Sequence, residues 1–139
     1  MLKKTMLLAA TAGIVATLLG AAPASAAQAN RITVGEGVSS CPVGYLCAWE
    51  RPGYKGAGKG MLIDEKNWND FGFGNRAASV YNHGEPGAFG DVILYPCPDY
   101  RECAGKESIR LRNGSWFFDL DRVSDGLRPE SHRWVRSQG

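Results

Sequence analysis

The chain has 139 residues, one domain's length rather than two, and its 44% hydrophobic and 22% charged content excludes disorder as the main description. Its 16 Lys+Arg against 14 Asp+Glu give +2, but Lys3 and Lys4 lie in a segment read below as removable, leaving 14 against 14. A neutral chain with interspersed signs excludes an electrostatic footprint for nucleic acid and a polybasic membrane anchor.

Residues 1–26 have the order of a secretory signal peptide: Lys3 and Lys4, an apolar run from Met6 to Leu19, and a small-residue site Ala24-Ser25-Ala26. That run is 14 residues long, and a spanning helix needs about 20. Cleavage after Ala26 would release residues 27–139 as a secreted, extracellular chain with no membrane attachment. Residues 27–39, with Gly35-Glu36-Gly37 ahead of Ser39-Ser40, read as a flexible N-terminal arm. The domain proper is expected over 40–139.

Short segments rich in aromatic and branched residues then follow, punctuated by Gly, Pro, Asn and Asp. Strands are expected at Tyr45–Trp49, Gly60–Asp64, Ser79–Asn82, Asp91–Tyr95, Ser108–Arg112, Trp116–Asp119 and His132–Val135. Gly56-Ala57-Gly58-Lys59-Gly60 lacks the spacing and the Ser or Thr of a phosphate loop, and reads as a hairpin turn. About one helical turn is expected around Asp64–Trp68. The four cysteines of a small secreted chain imply two disulfides, for which three connectivities exist. Cys41 and Cys47 enclose five residues, as do Cys97 and Cys103, and both pairs open Cys-Pro; the matched spacing favours Cys41–Cys47 and Cys97–Cys103. Zinc is excluded by that spacing, since structural sites prefer two to four intervening residues.

The two cysteine segments mark a weak duplication. Trp49 and Tyr54 fall 46 residues before Tyr95 and Tyr100, Trp68 falls 48 before Trp116, and Ser79 falls 52 before Ser131. The growing offset places insertions in the second copy. The expected fold is all-β, a sandwich of two Greek-key halves spanning about 40–86 and 87–136, stapled by the two local disulfides.

An aromatic residue, four residues, then aromatic-x-Gly, with Ser farther on, resembles the βγ-crystallin Greek-key motif, and Trp49, Tyr54, Gly56 and Ser79 fit it. In the second half Tyr95 and Tyr100 fit, Glu102 stands at the glycine position, and Gly105 is the nearby substitute. Cys-Pro-x-Gly-x-Leu-Cys at 41–47, two crystallin-like halves and a second cysteine loop together resemble the streptomycete metalloproteinase-inhibitor family over about 40–136. The resemblance implies a secreted protein inhibitor whose partner is an extracellular protease. It points to the loop Cys97-Pro98-Asp99-Tyr100-Arg101-Glu102-Cys103, with the reactive bond just after the first cysteine. Here that bond is Cys97–Pro98, and a proline removes an N–H that a peptidase would bind. A reactive site moved to Tyr100-Arg101 would suit a serine peptidase that prefers a basic residue.

No active site is legible. His83 and His132 lack a nucleophile elbow or a metalloprotease helix motif and read as turn or strand-surface residues. Asp119, Asp121 and Asp125 read as a solvated turn. Calcium ligation in related domains uses paired Asn/Asp followed by Ser/Thr; only Asn75 and Ser79 of Gly74–Ser79 correspond, which makes them weak candidates. Asn113-Gly114-Ser115 reads as turn chemistry. The chain is therefore expected to be a monomer without cofactor or enzymatic activity. The competing reading is a crystallin-like extracellular module without inhibitory activity, binding calcium or cell-wall carbohydrate or acting as a killer toxin. Its carbohydrate form would use Trp49, Trp68, Trp116 and Trp134.

Overall fold

Residue-by-residue alternation builds the architecture. In the strand Asp91–Tyr95, Val92 and Leu94 are fully buried while Ile93 and Tyr95 are only partly covered, the period of two that a sheet with one core face requires. The structure, a computed structural model, describes residues 28–123 and 125–138. The leader expected over 1–26 lies outside the described residues. Eight strands follow in order: β1 Arg31–Val34, β2 Tyr45–Arg51, β3 Lys55–Met61, β4 Ser79–His83, β5 Asp91–Tyr95, β6 Ile109–Leu111, β7 Trp116–Phe117 and β8 Ser131–Val135. They form a five-stranded antiparallel sheet, β1-β3-β2-β4-β7, and a three-stranded one, β6-β5-β8. Leu46, Ala48, Met61 and Val80 of the first sheet meet Val92, Leu94 and Leu111 of the second in one core with Trp68, Phe73, Leu120 and Leu127. No helix among the described residues is long and apolar enough to cross a membrane.

The halves interlock rather than sit side by side. β7, from the second half, pairs with β4 of the first sheet through Val80↔Phe117 and Tyr81↔Trp116. Reciprocally, Glu65 of the first half pairs with His132 of β8, its N–H donating to the His132 carbonyl (3.1 Å) and its carbonyl accepting from the His132 N–H (3.0 Å). Each half thus completes the other's sheet, and the core cannot be divided between them.

Three expectations are corrected. Residues 27–39 were expected to be a flexible arm, yet β1 pairs with β3 from Arg31↔Met61 to Val34↔Gly58, and a short 3-10 turn follows at Val38–Ser40. Ile32 and Val34 supply the apolar surface that docks it. The Gly56–Gly60 run is not a turn but most of β3. A Cβ at Gly58 would lie 2.8 Å from a Val34 methyl and 2.7 Å from the Trp49 indole nitrogen, and one at Gly60 would lie 2.7 Å from Ile32. Glycine alternates there because large side chains on the flanking strands fill the space above it. Finally, the turn expected at Asp64–Trp68 lies at Trp68–Phe71, capped by Asn67, whose side chain accepts the Asn69 N–H.

Candidate functional site

The repeat seen in the sequence becomes a matched set of hydrogen bonds. In the first half the Ser79 hydroxyl accepts from the Tyr54 N–H (3.0 Å) and donates to the Arg51 carbonyl (2.8 Å). In the second, the Ser131 hydroxyl accepts from the Tyr100 N–H (3.1 Å) and donates to the Cys97 carbonyl (2.6 Å). Gly53 and Tyr54 have φ of 71° and 62°, and Asp99 and Tyr100 have 63° and 57°. A left-handed non-glycine residue costs on the order of 1 kcal/mol or more, so each serine holds down a strained corner. The aromatic pairs match as well: Trp49–Tyr54 centroids are 5.3 Å apart and Tyr95–Tyr100 centroids 5.9 Å, both edge-to-face.

The register beyond the hairpin is 52 residues throughout. The Phe118 carbonyl accepts the Gly53 N–H (2.9 Å) as the Lys66 carbonyl accepts the Asp99 N–H (2.8 Å). Asn67 and Asp119 each cap a 3-10 turn. Trp68 is therefore matched by Leu120, not by Trp116 as the 48-residue offset implied; their N–H groups donate to the Glu130 and Ala78 carbonyls. The step from 46 to 52 places the extra chain between Tyr100 and β7, where the second cysteine loop lies.

Both disulfides form as the matched spacing favours, with Cα–Cα distances of 6.0 Å for Cys41–Cys47 and 6.1 Å for Cys97–Cys103. No free cysteine remains among the described residues. In the second loop Cys97 pairs with Arg101 across the turn, and a further left-handed turn at Ala104-Gly105 closes the Cys103↔Lys106 bridge. Gly105 thus belongs to the inserted turn. Asp99, Arg101 and Glu102 are exposed, whereas Cys97, Pro98, Tyr100 and Cys103 are half-buried. Glu102 accepts from the Ser108 N–H (3.1 Å) and hydroxyl (2.7 Å), bonds that hold its carboxyl below the usual range. Tyr100 packs inward, with the Arg133 guanidinium 3.9 Å above its ring. Burial, then the Asp64 charge, raises its phenol.

The bond Cys97–Pro98 lies at the start of this loop. Its carbonyl is taken by Ser131, and the following proline is half-buried. Arg101, by contrast, has its side chain in solvent, with only a long contact (3.4 Å) from its Nε–H to the Pro98 carbonyl. In the first loop, Val43 is half exposed.

The remaining candidates fall elsewhere. Ser79 is fully buried with its hydroxyl committed at both lone pair and proton, and the Asn75 amide donates to Glu130 Oε1 (2.9 Å). Among the described residues no cluster of three or more His, Cys, Asp or Glu side chains is arranged to hold a metal. Asp119 caps its turn and Asp121 pairs with Arg128 (2.6 Å). Asn113 N–H donates to Asp91 and its amide to the Glu85 carbonyl. His83 lies at the end of β4 with Nδ1 2.7 Å from the Cys41 carbonyl. His132 is corrected from a surface residue to a fully buried one: its Nδ1 accepts the Trp68 indole N–H (3.0 Å), and burial pushes it down to about 3. Trp49 and Trp68 are fully buried, and only Trp116 is mostly exposed. Sequence reasoning missed the Glu65–Arg31 pair, doubly bonded at 2.7 and 2.8 Å, because β1 itself was missed.

Comparison with solved structures bears on the fold alone. A structure described as "Evolution of the eye lens beta-gamma-crystallin domain fold" superposes with a TM-score of 0.61 at 15% identity, over 78% of this chain and 99% of that one. The NMR structure of spherulin 3a from Physarum polycephalum gives 0.53 at 16% identity, with the same coverage. The all-β, two-Greek-key architecture with two local disulfides is therefore that of a βγ-crystallin domain. Among curated proteins nothing matches. Residues 35–106, just over half of the chain and including both cysteine loops, match the profile described as "Peptidase inhibitor family I36". The chain belongs to peptidase inhibitor family I36 and is a proteinaceous peptidase inhibitor on a βγ-crystallin fold.

Proposed function

We propose that the protein is secreted after cleavage behind Ala26 and inhibits an extracellular peptidase through the loop Cys97–Cys103, with Arg101 as the residue entering the enzyme. The observation that carries this is the double clamp on the loop: a disulfide across its ends and a buried serine tying Cys97 to Tyr100, while Arg101 projects into solvent. A loop ordered before binding loses little conformational freedom on binding, and a disulfide across it holds the ends together if a bond is cut. An exposed arginine in that setting suits a serine peptidase with a carboxylate in its specificity pocket. The inhibitor itself carries out no catalysis and requires no cofactor.

A second reading rests on Val43, half exposed in the loop between Cys41 and Cys47. A bulky apolar residue after the cut suits a thermolysin-like metallopeptidase. Residual activities of trypsin, subtilisin and thermolysin titrated with residues 27–139 separate the two. Stoichiometric, reductant-sensitive inhibition of trypsin supports Arg101, and inhibition of thermolysin alone supports Val43. Inhibition of none at micromolar protein overturns both.

A further inference from the structure

The two halves finish the same corner in different chemistry. Beside Tyr100 the second half is charged: Arg133 lies over the ring, the Asp64 charge reaches the phenol, and Lys66 pairs with Asp99 (3.8 Å). At the 52-residue register, Asp64, Lys66 and Arg133 correspond to Trp116, Phe118 and Tyr81 of the first half. Those three gather around Tyr54. The serine hydrogen bonds are the same at both corners, so the fold holds with either set of neighbours. The aromatic set is therefore not a requirement of folding, and it leaves Trp116 59% and Phe118 61% exposed.

With Val38, these four aromatic residues wall an open cleft of about 340 Å³, toward the small end of the roughly 300–1,000 Å³ of small-molecule sites. Its walls are held by the fold. Tyr81 and Trp116 are cross-strand partners in β4 and β7 and share one face. The Phe118 ring packs edge-to-face on Tyr54 (5.8 Å between centroids), and Tyr54 packs in turn on the buried Trp49. No lining side chain is charged. Polar groups are nonetheless present. The Tyr45 phenol and the Trp49 and Trp68 indoles each donate to a protein acceptor. The phenols of Tyr54 and Tyr81 and the indole N–H of Trp116 have no such partner among the described residues.

Size and chemistry select the occupant. Covering all five side chains completely would remove at most about 500 Å² from water. Each partner in a stable protein–protein contact buries about 800 Å². β7 is two residues long, too short an edge to template a strand of a second copy. An ionic ligand would meet no countercharge, and a hydrocarbon would leave both phenols and the indole N–H without partners. A pyranose ring answers the whole surface: its C–H faces stack on aromatic rings, and its hydroxyls exchange hydrogen bonds with phenol and indole. We propose that this cleft binds an uncharged saccharide, with Trp116 as the stacking platform and the Tyr54 and Tyr81 phenols as hydroxyl partners. The site shares no residue with loop 97–103 and lies at the corresponding corner of the other half. It acts in addition to inhibition and does not rest on the loop reading.

The test is calorimetric titration of residues 27–139 with cellohexaose, chitohexaose and laminarihexaose, beside Trp116→Ala, Trp116→Asp and Tyr81→Phe. Trp116→Asp installs the residue that the second half carries at this place, and thermal unfolding checks that each variant is folded. The expected result is saturable binding of at least one of the three, unchanged between low and high salt. Either Trp116 variant should weaken it about tenfold or more, and Tyr81→Phe about threefold. Peptidase inhibition should stay within about twofold in all three variants. No heat from any of the three at millimolar saccharide overturns the proposal, as does binding that survives Trp116→Ala. Salt-sensitive binding of heparin in place of the neutral sugars would mark an anion site elsewhere and overturn it. So would wild-type dimers in sedimentation that Trp116→Ala dissolves, because a second copy would then cover the cleft. Loss of inhibition in a folded Trp116→Ala would place the cleft in the peptidase contact, again overturning it. Inhibition that Arg101→Ala leaves intact takes down the loop reading and not this site.

Discussion

Ser79 and Ser131 make the same two hydrogen bonds at equivalent corners, but only one of those corners is the cysteine loop. Replacing either by alanine removes two bonds and strands one buried donor and one carbonyl. A net loss of about 1 kcal/mol per bond, raised where the freed group stays dry, gives roughly 2–4 kcal/mol for each variant. A domain stable by about 5–15 kcal/mol remains folded at 25 °C after such a loss. Urea unfolding should therefore show similar decrements for Ser79→Ala and Ser131→Ala, with unchanged m-values. Inhibition should separate them. Without Ser131 the Cys97 carbonyl and Tyr100 amide are free to move, so the loop must be ordered on binding, and the inhibition constant should rise about tenfold or more. Ser79→Ala should leave it within about twofold. Equal inhibition by both variants would refute the reasoning, because it would mean that the disulfide alone sets the loop or that the loop does not meet the enzyme.

Replacing Cys97 and Cys103 together by alanine should cost about 2–2.5 kcal/mol, the chain-entropy value for so small a loop, and abolish inhibition of the target enzyme, both read from one preparation. Gly60→Val should cost at least about 1–3 kcal/mol by overpacking, since its Cβ would already lie 2.7 Å from Ile32; thermal unfolding of Gly60→Val beside Gly35→Ala, whose Cβ would meet nothing nearer than 3.8 Å, checks this. Acid should destabilise the protein through His132, whose folded-state value of about 3 lies below the ordinary 6.5. The unfolded chain takes up a proton below pH 6.5 that the folded chain refuses, so this stability is complete above that pH and is lost as pH falls toward 3. The expected slope between pH 6 and 4.5 is about 1 kcal/mol per unit; His132→Gln should flatten it, and parallel urea midpoints for the two proteins would count against the buried neutral imidazole.

What the sequence showed follows how local each cause is. The Trp49, Tyr54 and Ser79 pattern was readable because one hairpin and its tie impose a fixed spacing, and the cysteine pairs because each spans a single turn. Strands β5 and β8 were placed within a residue because each is a short segment with branched and aromatic residues, the first bounded by Gly90 and Pro96 and the second following Pro129. β1 was missed because only Ile32 and Val34 carry its burial, next to glycine and serine that read as arm. β3 was misread as a turn because its glycines answer to Ile32, Val34 and Trp49 across the sheet, a cause invisible along the chain. The loop 97–103 was found from its cysteines, but the inward packing of Tyr100 was not, since it depends on Arg133 and Ser131 some thirty residues away. Exposure separates Arg101 from Tyr100 where composition had left them side by side.

The most direct test is where the peptidase cuts. After prolonged incubation of residues 27–139 with the inhibited enzyme, the chain is reduced and its fragments are weighed. The expected result is a slow, limited cut after Arg101, with fragments 27–101 and 102–139 that stay joined by the Cys97–Cys103 disulfide until reductant is added. A cut confined to 41–47, or an inhibited complex from which Arg101→Ala subtracts nothing, would contradict it.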